Sequence, residues 1–132
     1  MASKGLRTEE IPKHRILREA YRHYTEFKAY VAATGKSVIE HGYWVYDDDG
    51  NKVKKVIIEI SFWDLHDALE SLAPRKKEAV LHNVIYDKRQ RDVAEIMGIT
   101  TVSVGQYVES GMLQLAKRYF AEENEDKDET AN

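Results

Sequence analysis

Apolar positions along this chain follow three successive rhythms. From about Glu9 to Ala33, Leu17, Ala20, Tyr21, Tyr24, Phe27 and Val31 recur at three- and four-residue intervals. That spacing predicts one amphipathic helix, with Gly35 placed to end it. Between Val38 and Ile60 the pattern changes: Tyr43, Trp44, Val45 and Tyr46 lead into DDDGN, and VKKVIIEI follows over 53–60. Aromatic and β-branched runs on either side of a Gly- and Asp-containing turn predict a β-hairpin. Two strands are marginal alone, so Val56, Ile57, Ile58 and Ile60 must lean on helices or mediate self-association. Helical spacing then returns, through Leu65, Leu69 and Leu72, through Ala79, Val80, Val84 and Ile85, and again beyond Gln90.

Local punctuation divides this last part into helices. Ser61 to Asp64 matches a capping box, and Asp87 to Gln90 a second one. Pro74 closes one helix or opens the next, where a missing amide proton costs nothing. Within Gln90–Glu109 (QRDVAEIMGITTVSVGQYVE), Val93, Met97, Ile99, Val104 and Val108 are apolar, Ala94 suits a close helix crossing, and Gly98 suits a tight turn. This is the pattern of a helix-turn-helix, whose second helix normally enters the major groove of DNA. Thr100 is the expected cap of that second helix, which runs on to Phe120 through Met112, Leu115, Ala116 and Tyr119. The expected fold is mainly α with a β-hairpin insertion and a C-terminal helix-turn-helix. Its parts are residues 1–61 (helix plus hairpin), 62–120 (helix-turn-helix domain) and 121–132 (tail).

Charge alters the picture more than overall composition does. The chain has 132 residues and a net charge of −3, which by itself argues against a nucleic-acid partner. Residues 1–36, however, carry eight basic against four acidic side chains, and 74–120 carry eight against five. Residues 37–73 carry three against eight, and 121–132 one against six. Two basic blocks are masked by an acidic middle and an acidic end, and the local footprint is what a phosphate backbone meets. Arg15, Arg18, Arg22 and Lys28 fall on the polar face of the first helix, either as a solvated face or as an auxiliary phosphate-contacting one. Residues 1–8 show no periodicity. The tail, AEENEDKDETAN, is expected to be disordered, as a solubilising segment or as a DNA mimic competing for the basic face.

The remaining chemistry is sparse. Cysteine is absent, excluding disulfides and thiolate metal sites. There is no apolar run long enough to cross a bilayer and no signal-peptide core near Met1, so no membrane partner is expected, and the absence of cysteine fits a reducing cytoplasm. Asp47, Asp49 and Asn51 have the alternating spacing of a calcium loop, but Lys52 and Ile58 stand where that loop needs glycine and a bidentate glutamate. A hairpin turn is the better reading. His14, His23, His41, His66 and His82 lack ligand spacing, and neither a nucleophile elbow nor a phosphate loop follows a strand. No cofactor and no enzymatic activity are expected.

From about Leu69 to Phe120 the sequence resembles the fourth conserved region of bacterial sigma factors. The resemblance rests on Leu72, Pro74, Arg75 and Glu78 ahead of an apolar helix, then Val93-Ala94-Glu95, Gly98-Ile99-Thr100 at the turn, Val104 and Gln106 in the recognition helix, and Leu113 and Leu115 in the helix beyond. It implies an all-helical region that recognises promoter DNA with its second helix and grips a flap of RNA polymerase with its first helices. It places Thr100, Thr101, Val102, Gly105, Gln106 and Glu109 toward the bases. Gln106 suits a bidentate pair with adenine, and the Thr101 and Val102 methyls suit thymine. Arg75, Lys76, Lys77, Lys88, Arg89, Arg91, Lys117 and Arg118 are the expected phosphate contacts. Sigma recognition helices usually carry two or three arginines, and here Thr101, Ser103 and Gly105 stand in their places.

The function implied is a sequence-specific DNA-binding transcription regulator, encoded by a phage or mobile element, with double-stranded DNA and bacterial RNA polymerase as partners and homodimerisation through the hairpin and first helix. The alternative is a protein-interaction module of the same fold, either a polymerase-flap binder or a packaging component akin to a small terminase subunit.

Overall fold

The computed structural model describes residues 10–121. Helix α1 spans Glu10–Arg22 and α2 spans Tyr24–Thr34. Strands β1 (Val38–Tyr46) and β2 (Lys52–Ser61) follow, then α3 (Phe62–Glu70), α4 (Pro74–Val80), α5 (Gln90–Met97) and α6 (Thr101–Tyr119). Residues 1–8 and the acidic tail, for which an absence of order was expected, lie outside the described residues apart from Ala121.

The single N-terminal helix expected over 9–33 is two helices. The break is at His23 (φ −104°, ψ 20°), whose ring stands 3.3 Å from both Glu19 and Glu26. The two halves bury side chains in different places, which one straight rod cannot do. Ile16, Leu17 and Tyr21 of α1 enter the main core, while Tyr24 and Phe27 of α2 close over Phe62 at ring separations of 5.1 and 5.4 Å. Gly35 ends α2 in the left-handed region (φ 75°), as its position predicts.

The hairpin is present and antiparallel, pairing Val38 with Ser61 through to Val45 with Lys54, with a register shift at Val45/Tyr46. Its turn is organised by Asp47, whose Oδ1 accepts the backbone N–H groups of Asp49 and Asn51, each at 2.9 Å. A carboxylate so committed is a turn device. One face of the hairpin lies on the helices through Tyr43, Val45, Ile58 and Ile60. The other leaves Trp44, Tyr46 and Ile57 exposed, with Lys52 over the Trp44 ring at 4.9 Å.

Two capping boxes were expected, and each is corrected by its surroundings. Ser61 Oγ does accept from Asp64 N at 3.3 Å, but the Ser61 N–H donates to the Tyr119 hydroxyl at 3.0 Å, so the acid does not reach back. Before α5 no side chain caps at all: the N-cap is Arg89, and Asp87 takes φ 55°. The cause lies upstream, where α4 widens into a π-helical turn at Leu81–Ile85 and must turn sharply to release the chain. Lys88 N–H then donates to His82 O at 3.0 Å, and Asn83 Nδ2 to Lys88 O at 2.7 Å, closing that corner.

A continuous cluster of buried side chains joins the two halves of the chain, from Ile16, Leu17 and Tyr21 through Phe62, Leu65 and Val80 to Val93, Val104 and Leu115. The helices meet closely where side chains vanish. At Gly111 an added Cβ would stand 2.8 Å from Val80 Cγ2, so α6 packs directly against the Val80 side chain of α4 at this glycine.

Candidate nucleic-acid interface

Helix α5 ends at Gly98, in the left-handed region (φ 70°), and its N–H reaches back to α5 carbonyls. Two residues later Thr100 caps α6: its Oγ1 accepts from Ser103 N at 3.1 Å and donates to Ser103 Oγ at 2.9 Å. The helix-turn-helix therefore follows the sequence pattern, and Val93, Ala94, Met97, Val104 and Val108 are buried between its arms. Arg75 braces the turn, donating from Nη2 to Met97 O at 3.2 Å.

At about 100° per residue, the buried positions of α6 (Val104, Val108, Gly111, Leu115) define one side of the helix. The opposite side presents Val102, Gln106, Glu109 and Leu113, all exposed, Val102 at 71%. Thr101 is exposed at the first turn. Of the six residues expected to face bases, Thr101, Val102, Gln106 and Glu109 thus form an open surface. Thr100 is exposed too, with its hydroxyl spent on the cap. Gly105 is turned toward α5: an added Cβ would stand 3.3 Å from the Gln90 Oε1, so this glycine serves the helix crossing. Leu113, 58% exposed, was not expected on this stripe, although its seven-residue spacing from Gln106 signals it.

The expected phosphate contacts separate into groups. Lys77 Nζ lies 2.9 Å from Glu70, which holds that carboxyl below its usual range. Arg75 and Arg89 pair with Glu78 (3.4 Å) and Asp92 (3.2 Å). Lys76 is half-buried, its Cβ set against Gly111. Lys88 and Arg91 are exposed around the start of α5, and Lys117 and Arg118 in the last turn of α6. Among the described residues these last four have no ion-pair partner. Free cations thus stand near both ends of the helix pair, with none on the exposed stripe between them.

The sequence pattern offered Arg15 and Arg18 as an auxiliary phosphate-contacting face without saying what they lie beside. α1 runs along α6, and a cleft of about 340 Å³ between them is lined by His14, Arg15 and Arg18 on one wall and by Glu109, Met112 and Leu113 on the other. Among the described residues no cluster of His, Cys, Asp or Glu is arranged to hold a metal ion. No described helix is long and apolar enough to cross a membrane.

Comparison with known families matches residues 62–115 to sigma-70, region 4. The match begins at the first residue of α3 and ends within α6, so it covers the helix-turn-helix and the two helices before it, and excludes α1, α2 and the hairpin. Comparison with curated proteins and with solved structures gives no significant match.

Proposed function

We propose, from the similarity of residues 62–115 to sigma-70 region 4, that this chain is a sequence-specific DNA-binding transcription regulator that places α6 in the major groove. The observation that carries the reading is the open stripe Val102–Gln106–Glu109 on a capped helix whose other side is locked into the core. An exposed amide flanked by apolar methyls is a base-reading chemistry: Gln106 offers a donor and an acceptor to adenine, and Thr101 and Val102 offer methyl contact to thymine. Lys88, Arg91, Lys117 and Arg118 fix register on the phosphates.

Bacterial RNA polymerase is the second partner in this reading, because the matched family also grips the polymerase. The chain then acts in a bacterial or infected bacterial cytoplasm as a phage or mobile-element regulator. The exposed Trp44, Tyr46, Val53 and Ile57 of the hairpin favour a homodimer, which suits a two-fold operator. The decisive experiment is selection of bound sequences from a random duplex pool by the full chain. A recovered consensus supports the reading, and failure to retain duplex DNA at 50 mM salt (roughly the low end of the usual range) ends it. Sedimentation of the free chain tests the dimer: a large ring in place of a dimer favours the packaging alternative.

A further inference from the structure

We infer that Arg15 and Arg18 of α1, which lie outside the family-matched segment, form a phosphate clamp beside the recognition helix. The inference rests on the DNA-binding reading above and extends it to a part of the chain that the family similarity does not cover.

Major-groove geometry sets the argument. The groove is about 12 Å wide and admits one helix, itself about 10–12 Å across with side chains. A second helix packed on the first lies with its axis about 8–10 Å away. It cannot enter the same groove, and comes to rest over the wall, where the sugar–phosphate strand runs. α1 is such a helix: Leu17 and Arg18 on one side and Met112 and Leu113 on the other line the shared cleft. Leu113 and Glu109 also belong to the exposed stripe of α6, so this cleft opens beside the base-reading surface. Arg15 is exposed and Arg18 half-exposed, and neither has an ion-pair partner among the described residues.

Charge points the same way. No Lys or Arg occurs between Asp92 and Gln114, so the middle of the recognition helix brings no cation of its own. It brings instead Glu109, which lines the same cleft and whose negative charge repels a phosphate strand. Two guanidinium groups on the opposite wall reverse that local sign, and guanidinium matches phosphate bidentately. Arg22, farther along α1, does not line the cleft and is 4.0 Å from Glu19, which makes it an internal control.

The test is equilibrium binding of the full chain to duplex DNA between 50 and 200 mM salt, a range in which each phosphate contact contributes about 0.9 to the slope of log affinity against log salt. Arg15→Gln/Arg18→Gln is expected to lower that slope by nearly two, with an unchanged melting transition. Arg15→Lys/Arg18→Lys should keep most of the slope, and Arg22→Gln all of it. If the wild-type chain binds and the double Gln variant keeps the wild-type slope, the clamp is refuted and the DNA-binding reading stands. If the wild-type chain does not bind duplex DNA, both fall. Should the Gln variant melt early, the Lys pair decides against Arg15→Met/Arg18→Met, which preserves the aliphatic stems and removes only the charge.

Discussion

The Tyr21 hydroxyl donates to the Leu65 carbonyl oxygen at 2.8 Å, joining α1 to α3 across 44 residues of sequence. Tyr21 is fully buried, and burial pushes its hydroxyl well above the ordinary phenol range. The helix before the hairpin is thus fastened inside the unit that carries the helix-turn-helix. Tyr21→Phe, which leaves Leu65 O one donor short, should cost about 1 kcal/mol. Tyr21→Ala should cost about 3–5 kcal/mol, as loss of a large core ring does. Chemical denaturation of both variants checks this, and a Phe variant as damaging as the Ala variant would contradict it.

The two glycines of α6 are expected to respond with opposite signs. At Gly111 a methyl would meet Val80 Cγ2 at 2.8 Å in a packed core, so Gly111→Ala should destabilise by about 1–3 kcal/mol. At Gly105 the obstacle is the far end of the Gln90 side chain at 3.3 Å, which can swing aside. Gly105→Ala should then show the helix-propensity gain of about 0.5–1 kcal/mol. Thermal melts of the two single variants give the comparison directly.

Gln106 is expected to set sequence preference without setting overall grip. Gln106→Ala should relax selectivity at one base pair by about 1–3 kcal/mol and leave the salt slope unchanged. Lys88→Ala and Arg91→Ala should do the reverse, weakening all sequences alike and lowering the slope by about one each. Competition binding with single-base operator variants separates the two behaviours.

His23, at the joint between α1 and α2, should make stability weakly pH-dependent. Its ring nitrogen at hydrogen-bond distance from Glu26, and then Glu19, raise its pKa above the ordinary 6.5. A folded-state pKa above the unfolded one stabilises the fold most below about 6.5 and loses that contribution as pH climbs through the raised value. The group is exposed, so the effect is small. NMR titration should show the raised pKa, and Glu26→Gln should lower it toward the ordinary value.

Amphipathic spacing and local chemistry by themselves determined the helix-turn-helix, with Gly98 at the turn, Thr100 at the cap and Val93, Val104 and Val108 inside, because those are relations between near neighbours in sequence. The hairpin and its Asp47 turn were legible for the same reason. The outward placing of Val102, Gln106 and Glu109 came from the resemblance to sigma region four, and the burial of Val104, Val108 and Leu115 on the other side of the helix agrees with it. What only the tertiary structure decided involves residues that meet across the fold. The break at His23 exists because α1 and α2 serve different parts of the core. The second half of the Ser61 capping box is absent because Tyr119, 58 residues away, takes its N–H. Gly105 belongs to a helix crossing because Gln90 folds over it, and Arg15 and Arg18 come beside α6 because α1 packs along it. Periodicity tells each helix which side to bury; which helix it is buried against, and so which charges end up beside Glu109 and Leu113, is fixed only when the whole core closes.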